Sequence, residues 1–418
     1  MNLMMILRQL WNQRAANGWI LGELVVVTYF LWGVVDPVYV LLSDKALPDN
    51  YDLTDTYLLS IGAYSANHTR YNPELDSDSL KQVDFMRIVD QVRRYPGVSD
   101  VTVSFFNSYP QSGTWNGGQL FNDTIFANIQ QMTFLSGTDY FGVFRIHDAR
   151  TGEIPPVLAE GEQGIYLTPD VAEKYPQNKW IHWGDSTRKS PLTAVIDPLQ
   201  IRSISQPGPL VFKATSELIH LPGAARICFR VRDGLASPAF TETFKREMRP
   251  RMQIGNYYLA SLTDFETVSK HFEYYMGTTG TIRLQIILAA FFLLCVFLGM
   301  GGTFWLRCNS RREEMGIYMT MGSTRHRLIR QFLLEAWWMV TIAFVIGALA
   351  QFQIVYLNGF AFAPDDPNPD YIQNRPVLHF LIVSAISYIL ILAVSFVATY
   401  IPVSKAARMN PADALRDE

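Results

Sequence analysis

The sequence feature that most constrains the fold is a set of four long stretches that carry almost no charge. They cover residues 19–42, 284–306, 336–358 and 376–403. A bilayer core of roughly 30 Å needs about 20 apolar residues in a helix, and each stretch is long enough. The sequence therefore predicts four transmembrane helices, and buried helices of a soluble protein are a poor alternative for the second and fourth stretches.

The first stretch contains two acidic residues, Glu23 and Asp36. A charged side chain at the centre of a bilayer costs about 2.5–3.5 kcal/mol on insertion scales. Because Glu23 lies near one end of the stretch and Asp36 near the other, we expect both carboxylates to reach a membrane surface. The apolar run is too long for a cleaved signal peptide, so we interpret it as an uncleaved anchor.

Arginine and lysine predict the orientation, because cytoplasmic loops are enriched in them near helix ends. They flank the apolar stretches in residues 1–18, 307–335 and 404–418, whereas residues 359–375 are acidic with a lone Arg375. We therefore expect a cytoplasmic amphipathic N-terminal segment, a cytoplasmic loop after the second helix, and a cytoplasmic C-terminal segment. Residues 359–375 are expected to be a short outer loop.

Residues 43–283 then remain outside the membrane as one extracytoplasmic domain between the first and second helices. Alternating and helical apolar patterns divide this region into strands and helices. We predict strands at 56–64, 96–106, 140–148 and 191–198, helices at 78–95 and 237–249, and a strand followed by a helix at 256–276. The predicted fold is therefore a large α+β domain inserted between helices 1 and 2 of a four-helix membrane protein.

Composition argues against several classes of function. A net charge of −3 gives no reason to expect a nucleic-acid partner. Cys228 is the only cysteine in the polar region, so that region cannot hold an internal disulfide, and no cysteine–histidine metal spacing occurs. The histidines are scattered and match no HExxH or GxSxG pattern. We expect the chain itself to have no catalytic site, no bound metal and no cofactor.

The charged stretch after the second helix has the pattern of a short helix, a hinge and a long helix. Ser310 followed by Glu313 matches a capping box, and Glu313 and Glu314 would suit the positive end of a helix dipole. Gly322 is a natural C-terminal stop, after which Ser323 or Thr324 can begin the long helix. The predicted short helix covers about Arg311 to Met321.

On that short helix, Met315, Tyr318 and Met319 have the spacing of one helical face. Flexible methionine side chains suit a surface that must fit a partner's groove. An interfacial helix with its arginines on anionic headgroups is an equally good interpretation of the same pattern.

Three further patterns bear on contacts between helices. Glu335 is expected either to brace the short helix through Arg330 or Arg327, or to reach the inner membrane surface itself. Small residues four positions apart predict close helix packing. The two such pairs are Gly18 with Gly22 and Ala343 with Gly347. At the C-terminus, Asn410, Pro411 and Asp413 form a good helix start.

The short helix and the tail resemble the MacB/FtsX-type permeases of the ABC transporter superfamily. The matching residues of the loop are Arg312, Glu314, Met315, Gly316, Ile317, Gly322, Ser323 and Glu335. The matching residues of the tail are Ala406, Ala407, Arg408, Pro411, Ala414, Leu415 and Arg416. The order of elements is also similar to that of the family: one helix, then a large outer domain, then three more helices. The family usually has a basic residue where this chain has Tyr318.

The resemblance implies a multi-pass subunit of the cell inner membrane, with a MacB-like periplasmic core, that pairs with a second permease subunit as a homo- or heterodimer. A coupling helix would dock on a cytoplasmic ABC ATPase, which binds ATP and Mg²⁺ and is separate because no GxxxxGK[ST] motif occurs here. Its expected docking residues are Arg311, Arg312, Glu313, Glu314, Met315, Gly316, Ile317, Tyr318, Met319 and Gly322. Motion of that ATPase would reach an outer domain that exports or releases a peptide, drug, lipoprotein or envelope component. The alternative is an ATPase-independent membrane receptor or scaffold.

Overall fold

The computed structural model describes residues 14–112, 117–122, 125–173, 180–183, 189–201, 207–357 and 375–408. Most of the expected N-terminal segment, nearly all of the 359–375 loop and the helix start at Asn410 lie outside these residues. The chain forms two compact units. The helical unit comprises Met1–Ser43 and Thr279–Glu418, and the α+β unit comprises Asp44–Thr278.

The elements are numbered in chain order. The helices are α1 (Arg14–Lys45), α2 (Asp78–Arg93), α3 (Tyr140–Phe144), α4 (Pro169–Ala172), α5 (Pro238–Arg251), α6 (Phe265–Tyr275), α7 (Thr278–Ser310), α8 (Arg312–Thr320), α9 (Arg325–Leu357) and α10 (Pro376–Ala406). The strands are β1 (Thr56–Ala63), β2 (Val98–Phe105), β3 (Gly117–Asn122), β4 (Ile125–Leu135), β5 (Gly164–Leu167), β6 (Trp180–Trp183), β7 (Lys189–Val195), β8 (Leu210–Thr215), β9 (Ala225–Val231) and β10 (Tyr257–Asp264).

Four of these helices, α1, α7, α9 and α10, are long and apolar enough to cross a membrane. The α+β unit lies in the chain between α1 and α7, as the fold prediction requires. Helix α9 begins at Arg325, well before the apolar stretch expected at 336, because the charged loop continues it as regular helix. The predicted four-helix membrane protein with an inserted α+β domain is confirmed.

Close contact between α1 and α9 occurs at a glycine. A Cβ at Gly347 would lie 2.8 Å from the Cβ of Thr28 and 2.9 Å from the carbonyl oxygen of Val25. Ala343, one turn earlier, is fully buried. The helix contact expected at this pair is present, whereas a Cβ at Gly18 or Gly22 would meet no atom within 4 Å. The contact expected at Gly18 and Gly22 is therefore not made within the described part of the chain.

The acid expected at a membrane surface in the second half of α1 is instead buried. Asp36 is 1% exposed and hydrogen bonds to Nε2 of His379, which lies in the first turn or so of α10 and is equally inaccessible. Beside this pair, Trp32 Nε1 donates to Ser384 Oγ at 3.0 Å. The prediction for Asp36 is wrong because a partner on another helix satisfies the carboxylate in place of water.

The first part of the α+β unit has the order of a split βαβ fold. Strands pair antiparallel in the order β10-β1-β9-β2, and α2 and α5 are the two connecting helices. One face of these strands packs against both helices. The contacts are made by buried residues that include Phe85 and Val89 of α2, Phe244 and Met248 of α5, and Phe229 of β9.

The residues between β2 and β9 form a second part, which continues the same sheet. The order β4-β3-β6-β7-β5-β8 returns to β4 because β4 and β8 also pair, in parallel, from Gln130↔Leu210 to Leu135↔Thr215. Six strands therefore close into a ring, and closure removes the exposed strand edges that invite aggregation.

One predicted strand of this part is wrong. Residues 140–144 form the short helix α3 rather than a strand. The side chain of Asp139 accepts a hydrogen bond from Gly142 N at 2.7 Å, and Arg145 ends the helix with a left-handed φ of 49°. All five residues of α3 are buried, so the aromatic density that suggested a strand reflects core packing instead.

A buried arginine ties the beginning of the α+β unit to its core. Arg230 Nη1 lies 3.2 Å from Asp52 Oδ2, and its Nε donates to the Val143 carbonyl oxygen at 2.8 Å. Arg145 Nη1 approaches the same Asp52 oxygen at 3.1 Å. Burial alone would raise the pKa of Asp52, but hydrogen bonds from Thr54 and the two arginines bring that pKa below its ordinary value.

Candidate functional site

The candidate site is the corner of the helical unit formed by the end of α7, by α8 and by the start of α9. Gly322 adopts a φ of 87°, and its N–H donates to the Met319 carbonyl at 3.1 Å. The N–H of Ser323 donates to the Tyr318 carbonyl at 2.9 Å. These two bonds form a Schellman motif, in which the positive φ of glycine ends the helix. The predicted stop at Gly322 is confirmed.

The predicted capping box at the start of α8 is wrong. Ser310 is still part of α7, and its Oγ donates to the carbonyl of Arg307 at 3.2 Å. The N-cap position belongs to Arg311, which makes no side-chain cap bond. Because α7 continues one turn further than its apolar stretch, the chain changes direction only at Arg311.

Helix α8 has one buried and one exposed face. Met315 is only 3% exposed and packs in the core of the helical unit, and Gly316 beside it is also buried. The predicted shared face of Met315, Tyr318 and Met319 is therefore wrong, since Met315 is inaccessible and Met319 is half-buried. We define the exposed face of α8 as Glu314, Ile317, Tyr318 and Met321, all of which are exposed.

Two more of the expected docking residues are not part of the exposed face. Arg312, at the first position of α8, is half-buried, and Glu313 has a side chain outside the described part of the structure. Met321, which the sequence interpretation used only as the helix boundary, is 80% exposed and adds to the exposed face. Its signal in the sequence was the spacing of Ile317, Tyr318 and Met321 over one helical turn.

Glu335 lies at the centre of a buried ion cluster. It is 1% exposed, its Oε1 lies 3.5 Å from Arg311 Nη1, and its Oε2 lies 3.8 Å from Arg307 Nη1. Both arginines are buried as well. We call Glu335, Arg307 and Arg311 the Glu335 cluster. It joins α7, the start of α8 and α9.

The expected partners of Glu335 are wrong. Arg330 and Arg327 are exposed, and the two charges that contact Glu335 come from outside its own helix. The alternative that Glu335 reaches the membrane surface is also wrong, because the carboxylate faces the core. Arg307 is held further by the ring of Phe304, 5.0 Å from its guanidinium carbon, and by Met339 Sδ, 3.6 Å from Nη2.

The Glu335 cluster connects three helices by buried charge. In the described ranges, no group of three or more His, Cys, Asp or Glu side chains could hold a metal ion. A buried cluster of opposite charges resists rearrangement, because separating its members would leave uncompensated buried charge. The start of α8 is therefore attached to both α7 and α9 through buried charges.

Comparison with known proteins places this site in a family. Residues 286–411 match the model described as FtsX-like permease C-terminal, and that range contains α8 and the whole Glu335 cluster. The macrolide export ATP-binding/permease protein MacB of Hahella chejuensis (strain KCTC 2396) is 27% identical over 206 residues, which are 49% of this chain and 29% of that protein. The probable syringafactin export ATP-binding/permease protein SyfD of Pseudomonas syringae pv. tomato is 28% identical over 193 residues, 45% of this chain and 26% of that protein.

Two solved structures are similar to the chain. The periplasmic region of MacB from Actinobacillus actinomycetemcomitans has a TM-score of 0.32 at 12% identity and covers 53% of this chain and 94% of that one. The extracellular domain of the ABC-type transporter YknZ from Gram-positive bacteria has a TM-score of 0.30 at 10% identity, with 49% and 100% covered.

The matches to the two sequence relatives span less than a third of the length of either protein. The family match covers three of the four candidate membrane helices and the corner between α7 and α9. Together with the MacB relatives, it shows that residues 286–411 are an FtsX-like permease domain and that the chain is similar to MacB-type permeases of ABC transporters.

Proposed function

We propose that this permease couples ATP hydrolysis by a cytoplasmic ABC ATPase, which the 418 residues do not include, to movement of its α+β unit. In this proposal the protein lies in the inner membrane, with both termini and α8 in the cytoplasm and the α+β unit on the opposite side. The chain is not itself catalytic. The ATPase binds ATP and Mg²⁺, and two permease subunits act together.

The observation that carries the proposal is the combination of an exposed and a buried attachment on one short helix. Ile317, Tyr318 and Met321 leave an apolar surface uncovered, whereas Arg311 at the other side of α8 is bound into the Glu335 cluster. Apolar and aromatic side chains at the centre of an interface supply most of its binding energy. A partner bound to this face would therefore contact a short helix that is attached to two membrane helices.

One continuous helix connects α8 to the α+β unit along the chain. Helix α7 is one continuous element from Ser310, beside α8, to Thr278, where the α+β unit ends. When the ATPase subunits close on ATP, the push on α8 moves α7 as a rigid rod of 33 residues. The transported or released material is a peptide, drug, lipoprotein or envelope component, consistent with the export roles in the names of the MacB and SyfD relatives.

The alternative function is an ATPase-independent receptor or scaffold with a ligand-sensing α+β unit. That function gives α8 no protein partner, so its exposed face would rest on lipid. The two functions therefore differ in what covers Tyr318 in the cell.

Site-specific photo-crosslinking distinguishes them. A photoreactive amino acid at Tyr318 should crosslink to a protein that carries ATP-binding motifs, identified by mass spectrometry. The matched control is the same amino acid at Met315, which is buried and should give no crosslink. Crosslinks from Tyr318 to lipid alone would exclude the ATPase contact and favour the receptor.

A second experiment measures the contact. Replacing Ile317 and Tyr318 by aspartate should weaken copurification of the ATPase by about 30-fold or more, as for other buried interface anchors. The conservative pair Ile317→Leu and Tyr318→Phe should retain binding. Both side chains are exposed, so neither pair of substitutions disturbs the core. Unchanged copurification of the aspartate variant would contradict docking through this face.

A further inference from the structure

The end of helix α6 carries large side chains that the α+β unit leaves uncovered. Phe265 and Phe272 of this helix are buried in the unit, and Asp264 caps its start by accepting from Thr267 N at 2.8 Å. At the opposite end Tyr274 is 81% exposed and Tyr275 is 79% exposed. Two adjacent exposed tyrosines on a folded unit are candidates for contact with another molecule or surface.

The place of these tyrosines along the chain is defined. Met276 follows them and is also exposed, Gly277 ends the helix with a φ of 72°, and α7 begins at Thr278. The tyrosines therefore immediately precede a helix that is long and apolar enough to cross a membrane. We call Tyr274, Tyr275 and Met276 the juxtamembrane patch.

An ion pair connects the end of α1 to α6, directly before the juxtamembrane patch. Lys45 Nζ, at the end of α1, lies 3.6 Å from Glu273 Oε1, directly before the patch. The Lys45 side chain is still more than half exposed, so its charge also faces solvent. An exposed ammonium group offers a partner to lipid phosphates.

Few residues separate the patch from the apolar part of α7. The apolar part of α7 starts at Leu284, directly after Arg283. Helix between Thr278 and Arg283 rises about 9 Å. Each headgroup layer of a bilayer is about 5–8 Å thick, as the difference between total and hydrocarbon thickness. The polar first turns of α7 are therefore about as long as one headgroup layer is thick, and the patch lies within ten residues of the apolar part of α7 along the chain.

We propose that the juxtamembrane patch binds the phospholipid headgroup layer on the side of the membrane where the α+β unit lies. Tyrosine suits this layer because its ring is apolar and its hydroxyl is polar, and tyrosine is enriched at membrane–water interfaces for that reason. Continuity with a membrane helix favours lipid as the occupant over a second copy of the chain. The inference is independent of any ATPase contact at α8.

Spin-label accessibility in lipid nanodiscs tests the proposal with the full chain. A nitroxide is placed by Tyr275→Cys, after Cys295→Ser removes the more accessible native thiol, because Cys228 and Cys308 are buried. The matched control is Leu80→Cys on α2 of the same unit, which is exposed but far along the chain from any membrane helix. Collisions with oxygen, which concentrates in bilayers, are compared with collisions with a water-soluble nickel complex.

We expect the oxygen-to-nickel collision ratio to be several-fold higher at position 275 than at position 80. Equal ratios at the two positions would place the patch in water and overturn the proposal. Low collision rates with both reagents, together with dipolar broadening between labels, would show that a second copy covers the patch and would also overturn it. Tyr274→Cys provides a second label position for the same comparison.

Discussion

Glu335 connects α7, the start of α8 and α9 by charge. Its carboxylate faces two buried arginines, 3.5 and 3.8 Å away. Breaking a buried ion pair by removing one partner usually costs about 3–5 kcal/mol, because the remaining charge stays buried without compensation. The cluster therefore stabilises the corner only as long as all its members are present.

Replacing Glu335 by glutamine should accordingly lower the free energy of unfolding of the helical unit by about 3 kcal/mol. The control is Arg330→Gln, since Arg330 is exposed and its loss should change stability by less than about 0.5 kcal/mol. Thermal unfolding of the full chain in nanodiscs measures both. A larger loss for Arg330→Gln than for Glu335→Gln would contradict the observed pairing.

The sequence offered bracing as one of two roles for Glu335, but it did not indicate Arg307 and Arg311 as partners. Arg330 and Arg327 are near in sequence, yet they lie on the exposed side of α9. Arg307 and Arg311 approach Glu335 only because the chain folds back at Gly322. The Asp36–His379 pair was missed for the same reason, because 343 positions separate its members. Pairings between helices follow from tertiary packing, which a local pattern does not contain.

Among the elements, the turn between α8 and α9 depends on one glycine. Gly322 needs a left-handed φ, and a Cβ at this position would meet no other atom within 4 Å. Glycine is therefore favoured at this position by the backbone conformation alone, and not by lack of space for a side chain. The angle at which α8 leaves the membrane helix follows from this one residue.

The substitution Gly322→Ala should destabilise the turn by about 1 kcal/mol, the cost of a left-handed φ without glycine. Gly322→Asn should cost less, because asparagine tolerates that conformation. Hydrogen–deuterium exchange across Tyr318 to Thr324 measures the opening of the turn in each variant. Equal exchange in the alanine and asparagine variants would show that φ is not the limiting factor.

Local patterns predicted some elements of the α+β unit and missed others, among them β3, β4, β5, β6, β8 and β9. The expected strand at 56–64 is β1, the expected helix at 78–95 is α2, and the expected strand and helix at 256–276 are β10 and α6. Apolar periodicity is a strong signal where one face of an element packs on a core. Helix α3 was missed because all of its five residues are buried, which leaves no periodicity to read.

For the whole molecule, the closure of the six-stranded ring was beyond sequence reasoning. It depends on the parallel pairing of β4 with β8, two strands separated by β5, β6 and β7 along the chain. Non-local pairing of this kind depends on the complete fold rather than on any segment.

Two carboxylates of the α+β unit should respond to acid in opposite ways. The pKa of Asp52 is below its ordinary value, so its contribution to stability is present above about pH 4 and is lost as the pH falls through the lowered pKa. Burial raises the pKa of Asp139, the hydrogen bond from Gly142 N–H lowers it, and Asp100 raises it, with a net rise. Asp139 therefore favours the folded state at low pH and loses this contribution as the pH rises.

Thermal unfolding of the full chain in nanodiscs between about pH 3 and 8 measures both effects. Asp52→Asn should be less stable than the wild type at neutral pH, and the difference should shrink in acid. Asp139→Asn should be at least as stable as the wild type at neutral pH, because asparagine can still cap α3, and should lose this advantage in acid. Parallel pH curves for the two variants would contradict the opposite shifts of pKa.

The pairing of β1 with β10 has a consequence for how load enters the α+β unit. The two strands are antiparallel neighbours, and Tyr57 lies opposite Asp264, so the residues nearest the two membrane linkers share one end of the ladder. Pulling the linkers apart would break the hydrogen bonds between β1 and β10 one after another, starting at that end. Drawing both linkers the same way instead loads every bond between β1 and β9 at once, in shear. The α+β unit should therefore yield easily when its two linkers are pulled apart and resist when both are pulled in the same direction.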